Sequence, residues 1–245
     1  MSRRIHVEQV EIGRLALPAA GAHHVRDVLR LGVGTPVEVF DDAGRVGTGR
    51  LAEVGGAAVT VEVEQVREGA RDLEWTIASA VPKGQRADWM IEKLAELGVA
   101  RFVPLATARS VVHPEGRGKV DRWRRLATEA ARQSGSGVMQ IDGLMPLNHA
   151  IEAWAATGTP GLWCATEVEA AGIGAIGPME AGWCFIGPEG GWDPAEIAQM
   201  RQSGLAAVRL TRSILRIETA AVVAAAALLL DREGHRPDDR QSPAR

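Results

Sequence analysis

At 245 residues, 46% hydrophobic and 24% charged, the chain falls in the ordinary globular range and has the length of one large domain or two smaller ones. Its longest apolar run, Ala220 to Leu230, is shorter than the roughly 20 residues a bilayer demands, and the charged start Met1-Ser2-Arg3-Arg4 leads into no apolar signal segment, so a soluble, cytoplasmic protein is expected. A net charge of −3 argues against a protein that coats nucleic acid without selectivity; two cysteines twenty positions apart, Cys164 and Cys184, indicate neither a disulfide framework nor a zinc site, so both are expected in the core and no metal is expected.

The first seventy residues read as β-rich. Ile5-His6-Val7, Pro36 to Phe40, Val46 to Leu51 and Ala57 to Val66 are strand candidates, the last alternating apolar and polar residues at Val59, Val61 and Val63. Glycines 32, 34, 44, 55 and 56 mark the turns. One helix interrupts them, His23 to Leu31, with Val25, Val28 and Leu29 expected on one face. The adjacent His23 and His24 are expected to cap or pack it. A small barrel over residues 1–70 follows, with eight basic and ten acidic residues.

Beyond residue 72 strands alternate with helices. Trp75 to Val81 reads as a strand, and Arg86 to Leu97 as a helix with Trp89, Met90, Leu94 and Leu97 inward and Gly98 at its C-terminal cap. Ala100 to Pro104 is the next strand, Val120 to Ser134 and Leu147 to Ala156 are helices, and Gly161 to Ala165 and Trp183 to Ile186 are buried strands. Asp193 caps a helix opened by Pro194. A short strand, Ala207 to Leu210, precedes a helix from Glu218 to Leu230 that lacks a polar face, which implies burial on all sides, in the core or in a subunit interface. Such alternation predicts an α/β domain over residues 73–232 with a mostly parallel sheet. The Pro- and charge-rich residues 233–245 read as a disordered tail. From Arg109 to Arg132 seven basic residues face three acidic ones, a candidate anion-binding surface.

Two motif matches fail in context. Gly172-Ile173-Gly174-Ala175-Ile176-Gly177 fits the dinucleotide fingerprint, but no long helix follows it to meet a pyrophosphate. Gly116-Arg117-Gly118-Lys119-Val120 lacks the Ser or Thr of a phosphate loop. Three other segments carry more. Phe185-Ile186-Gly187-Pro188-Glu189-Gly190-Gly191-Trp192 puts three glycines and a proline directly after a buried strand, either as a tight connection or as backbone that a ligand can approach closely. Leu210 to Ala220 concentrates Arg212, Arg216 and Glu218 at a strand-to-helix junction, where Glu218 also suits the positive helix end. Lys83, Arg86 and Lys93 near a strand end either meet phosphate or form the solvated face of an amphipathic helix.

"RRIHV" (3–7), "KGQRADWMIEKLAELGVARFVPLATARS" (83–110), "IGPEGGW" (186–192) and "ILRIETA" (214–220), in this order, closely resemble the bacterial 16S ribosomal RNA uridine N3-methyltransferases, members of the SPOUT class of knotted methyltransferases. The resemblance runs from Arg3 to about Asp231. It implies a PUA-like N-terminal RNA-binding barrel and a C-terminal α/β domain closed by a deep trefoil knot. It also implies S-adenosylmethionine as cofactor, held by Gly187, Pro188, Glu189, Gly190, Gly191, Leu210, Ile214, Leu215 and Arg216. The implied partners are a second copy of the chain and the 16S RNA of the assembled small subunit. RNA contacts are expected from Arg3, Arg4, Arg26, Arg30, Lys83, Arg86, Lys93, Arg109, Arg124 and Arg132.

For such a reaction uracil N3 must lose a proton while negative charge develops on the base. Arg216 is a candidate to stabilise that charge, and Glu189 or Glu218 to take the proton. The sequence departs from the family pattern at Ser136 (usually arginine), Gln140 (usually proline) and Thr211 (usually glycine); Arg132 stands where glutamate is common. These leave two alternatives, another RNA nucleotide as target or an RNA-binding paralogue without catalysis.

Overall fold

The computed structural model describes residues 3–41, 44–55, 58–68, 73–113, 117–134, 136–166 and 170–234. Its N-terminal part is one curled sheet built from β1 (Arg4–His6), β2 (Gly13–Ala16), β3 (Pro36–Phe40), β4 (Arg45–Val54) and β5 (Val59–Glu68), in the order β1-β3-β4-β5-β2. All pairings are antiparallel except β1 with β3. On β5, Val59, Val61 and Val63 are buried while Glu62 and Glu64 face outward, the two-residue period of a strand with one wet face. Curling is helped at Gly49, where the register slips; a Cβ there would lie 2.0 Å from the Glu62 carbonyl oxygen.

Between the edge strands β1 and β2 no ladder forms among the described residues. The gap is filled by helix α1 (Ala19–His23), whose Gly21 comes so close that a Cβ would lie 3.1 Å from Ile5 Cγ2. Here the expected helix is corrected. It starts at Ala19 and widens into a π-helical turn at His24–Val28, with Leu29 N–H bonded to the His24 carbonyl and Leu31 N–H to that of Val25. The wider turn breaks the 3.6-residue period. Val25 is therefore buried, whereas Val28 and Leu29 are 58% and 39% exposed.

The second sheet contains β6 (Leu73–Ser79), β7 (Val99–Ala106), β8 (Gln140–Ile141), β9 (Met145–Pro146), β10 (Gly161–Cys164), β11 (Ala171–Gly172), β12 (Ala181–Ile186) and β13 (Ala206–Arg209). Its order is β11-β13-β10-β12-β6-β7-β8, with β9 also on β7, and every pairing is parallel. The helices are α2 (Gln85–Glu96), α3 (Arg117–Ser134), α4 (Leu147–Ala155), α5 (Pro194–Gln202) and α6 (Ile217–Gly234). A parallel sheet needs cover on both faces. Trp75, Ile77, Phe102 and Cys184 point to a core shared with α2, α3 and α6; Val103, Trp163, Trp183 and Phe185 point to one shared with α4 and Met200 of α5. This is the α/β, mostly parallel architecture expected.

Two helical faces differ from expectation. On α2 the inward stripe is Ala87, Met90, Ile91, Leu94 and Ala95, which leaves Trp89 44% exposed. Along α6, Ala221, Ala224, Ala225 and Leu228 are buried, but Val222 and Val223 are half-buried and Leu230 is exposed, so the single chain does not cover this helix on all sides. The helix runs to Gly234, two residues into the segment read as a tail; residues 235–245 lie outside the described residues. After β11 only a single 3₁₀ turn, Ile173–Ala175, precedes β12, in keeping with the rejected dinucleotide fingerprint. Cys184 is buried and Cys164 half-buried, with free thiols 3.8 Å apart.

The two sheets meet where Phe40 and Val46 pack on Ala131 of α3. Beside them His24, the C-terminal cap residue of α1, also accepts at Nε2 a hydrogen bond of 2.9 Å from Arg132 Nη1, so it caps the helix and ties the two parts together. Burial, followed by the Arg132 charge, holds the His24 pKa below its ordinary value, which suits a neutral accepting imidazole.

Inside the first sheet, the buried Asp41 carboxylate accepts from Val10 N–H (2.8 Å), Arg45 N–H (3.0 Å) and Arg45 Nε (2.8 Å). Burial alone would raise its pKa, but these bonds and the Arg45 charge together lower it. A lowered folded pKa gives stability that is present above the unfolded value, about 3.9, and is lost as pH falls through the folded one. Asp41→Asn is therefore expected to cost about 1–3 kcal/mol at neutral pH, with the gap to wild type narrowing below about pH 4 in urea titrations.

Candidate active site

Strands of a parallel sheet all deliver their C-terminal ends to one edge, where ligands of open α/β sheets bind. Here the loops after β10, β12 and β13 enclose a cavity of about 420 Å³. Its walls are 163–166, 186–192 and 210–215, and Ile217 and Ala220 of α6 also line it.

The loop after β12 is shaped by its small residues. Gly191, at φ 71°, closes a turn in which its N–H donates to the Pro188 carbonyl at 2.9 Å. A Cβ on Gly187 would lie 2.9 Å from the Trp192 ring, so glycine lets the buried indole fold back under the loop. Trp192 Nε1 donates to the Cys164 carbonyl at 3.0 Å, joining the β12 loop to the end of β10. Asp193 then caps α5, accepting from Ala195 N–H at 3.0 Å, and Glu196 closes the capping box by accepting from Asp193 N–H at 2.8 Å. In the loop after β13, Thr211 Oγ1 donates to the Ser213 carbonyl at 2.6 Å and Ile214 is 86% exposed at the mouth.

Gly187, Pro188, Glu189, Gly190, Gly191, Leu210, Ile214 and Leu215 all line this cavity. Arg216 does not; it is exposed beside it. Glu218 is buried and also does not line it: one carboxylate oxygen lies 3.5 Å from Arg86 Nη1 and the other has no hydrogen-bond partner among the described residues. Of the two carboxylates considered as proton acceptors, only Glu189 faces the cavity. The wall formed by Trp163 to Thr166 has only the end of a buried strand as its sequence signal, and Arg109, expected at RNA, lines the cavity instead beside Trp192. Trp163 adds an indole N–H with no partner among the described residues. Among the described residues no group of three or more His, Cys, Asp or Glu is placed to hold a metal ion, and no helix is long and apolar enough to cross a membrane.

The expected RNA contacts divide. Arg3, Arg30 and Lys83 are exposed. Arg4 is buried, 3.3 Å from Glu38 and stacked over Phe40, so burial removes it from any outside ligand. Lys93 is paired with Glu92 and Glu96, Arg26 with Asp27, and Arg86 with Glu218. In the basic run from Arg109, Arg122 pairs with Asp88, Arg124 with Asp121, and Arg132 with Glu129. Ser136, expected to face RNA or a partner, is buried and donates at 2.8 Å to the Ala95 carbonyl at the end of α2. Gln140 and Thr211 are exposed.

A glycine-lined cavity at the C-terminal edge of a parallel sheet, behind a small β-domain, defines a two-part α/β protein with a small-molecule site at its sheet edge. Residues 70–229 match the RNA methyltransferase domain family and residues 17–64 the RNA methyltransferase PUA domain, and the chain belongs to this RNA methyltransferase family. It is 31% identical over 224 residues to the ribosomal RNA small subunit methyltransferase E of Synechocystis, covering 89% of this chain and 74% of that protein. With the Bacillus subtilis protein of the same name it shares 29% over 229 residues, 88% and 90% of the two chains. The Neisseria gonorrhoeae ribosomal RNA small subunit methyltransferase E, crystallised with S-adenosyl methionine, superposes with a TM-score of 0.82 at 27% identity, over 94% of this chain and 98% of that one.

Because the Gly187 position is filled by the Trp192 ring, Gly187→Ala is expected to displace the indole and cost about 1–3 kcal/mol. Urea denaturation together with tryptophan emission checks this; unchanged stability and emission would show that the loop has room to spare.

Proposed function

We propose that this protein transfers the methyl group of S-adenosylmethionine to N3 of a uridine in the 16S RNA of the small ribosomal subunit, acting as a homodimer in the cytoplasm. The observation that carries the reading is the cavity between the glycine loop 187–191 and the aliphatic loop 210–215, in a chain of the RNA methyltransferase family. Its volume lies within the roughly 300–1,000 Å³ of small-molecule sites. Its wall offers glycine backbone and aliphatic side chains to a nucleoside and a carboxylate, Glu189, near a cationic ligand.

When bound, the cofactor supplies a methyl group already activated by its sulfonium, so the chain's task is to align the base and manage one proton. Glu189 is the carboxylate positioned to accept the N3 proton. Arg216, exposed beside the cavity, is suited to stabilising charge on a uracil oxygen from outside the cofactor's space. Glu218 is reassigned from the chemistry to the pair it forms with Arg86 at the start of α6. Residues 1–70 form the RNA-holding domain and 73–232 the methyltransferase domain, with a knotted path through the cavity loops. RNA is met through the exposed Arg3, Arg30 and Lys83. The incompletely covered face of α6 fits the dimer contact.

The test is methyl transfer from labelled cofactor to small subunits lacking the mark, with naked 16S RNA and transfer RNA in parallel and the modified base mapped. Label on a uridine N3 in assembled subunits is expected; label elsewhere would reassign the target, and cofactor binding without transfer to any RNA would favour a non-catalytic paralogue. Glu189→Gln should lower kcat by about 10²–10⁴-fold, more than it raises KM for the cofactor. Wild-type turnover would remove Glu189 from proton transfer.

A further inference from the structure

The glycine loop that forms much of the cavity has almost no side chains of its own with which to hold a shape. One residue outside it, Arg109, holds it from across the sheet. Arg109 sits in the turn that ends β7, a strand separated from β12 by β6. That turn is stiff: Ser110 N–H donates to the Thr107 carbonyl at 3.1 Å, Thr107 N–H donates to Ser110 Oγ at 3.1 Å, and the two hydroxyls are 2.8 Å apart.

From it two groups reach over the edge of the sheet. Ala108 N–H donates to Glu196 Oε1 at 2.8 Å, the carboxylate whose other oxygen closes the α5 capping box. Arg109 Nη1 donates to the Gly190 carbonyl at 2.9 Å, and its Nη2 lies 3.5 Å from Asp193 Oδ2. The Arg109 stem lies on Gly190 so closely that a Cβ there would be 3.3 Å from Arg109 Cβ and 3.5 Å from its Cδ. The peptide between Gly190 and Gly191 is thereby fixed at both ends, its carbonyl by Arg109 and its N–H by the Pro188 carbonyl. Rotating that peptide would break both bonds together.

We propose that Arg109 is a positioning residue that presets the glycine loop for the cofactor, and that its guanidinium is not an RNA phosphate contact. The inference rests on the cavity being the S-adenosylmethionine site. Preorganisation of this kind acts on cofactor affinity, because without the clamp the loop must be ordered at the moment of binding. It leaves the transfer step nearly unchanged once cofactor is saturating.

Calorimetric titration of S-adenosylmethionine into the wild type, Arg109→Ala, Arg109→Lys and Glu196→Ala, without RNA, tests it, together with steady-state kinetics on small subunits and a melting curve for each variant. Arg109→Ala is expected to weaken cofactor binding by about tenfold or more, with kcat at saturating cofactor within about threefold and KM for the subunit unchanged. Arg109→Lys, which keeps the stem and charge without the fork, should recover part of the loss. Glu196→Ala removes the second anchor from outside the cavity and should weaken cofactor binding in the same sense, which keeps the test alive if Arg109→Ala fails to fold. Wild-type cofactor affinity in the folded Arg109→Ala, or in Glu196→Ala if it does not fold, overturns the proposal. So does a defect confined to KM for the subunit and steepened by salt, the signature of a phosphate contact. A wild type that binds no cofactor would overturn the function itself, and this inference with it.

Discussion

Parallel pairing is the constraint from which the rest of this structure follows. Hairpins cannot join parallel strands, so each return crosses a face of the sheet, and every strand of the second sheet delivers its C-terminal end to the same edge. The faces must be dry, which accounts for Trp75, Trp123 and Trp163 being among the largest fully buried side chains. The edge, by contrast, is where backbone leaves the ladder and groups become available. β10, β12 and β13 lie side by side, so their three loops converge on one cavity although they are separated in sequence by about twenty residues or more.

A loop in that position has to be both close-fitting and fixed, and these demands conflict. Close approach favours glycine, whose lack of a side chain removes the means of anchoring it. The fold answers by anchoring from neighbours: Trp192 is drawn under the loop by the Cys164 carbonyl, and the β7 turn clamps it from the other side through Arg109 and Glu196. The same economy appears at Ser136, which satisfies the Ala95 carbonyl at the end of α2.

The strands and helices whose signals are local were legible in the sequence. Val59, Val61 and Val63 announce β5, Asp193-Pro194 announces α5, and the glycines after Phe185 announce a special loop. What escaped depends on partners remote in sequence. β8, β9 and β11 are two residues long and exist only because a neighbouring strand is there. Val28 and Leu29 were misread because a π turn shifts the helical period, and Trp89 because a wide apolar spacing admits more than one inward face. Half of the cavity wall was legible, in the loops after β12 and β13. The other half, from Trp163 to Thr166 and at Arg109, is adjacent only through strand order. Charge was the least legible quantity: the acidic partners of Arg109 and Arg122, Asp193 and Asp88, lie far from them in sequence and only the fold brings them together.

Helix α3 links the two halves of the molecule. Trp123, Ala127 and Ala130 anchor it in the core of the parallel sheet, while Ala131 packs on Phe40 and Val46 and Arg132 donates to His24. The small sheet is therefore fixed to α3, which packs extensively on α2. A reaction that must present one nucleotide to one methyl group gains from such a seat, since the offset between the two parts of the molecule is set by packed apolar side chains. A misplacement of about 1 Å there can cost on the order of a hundredfold in rate.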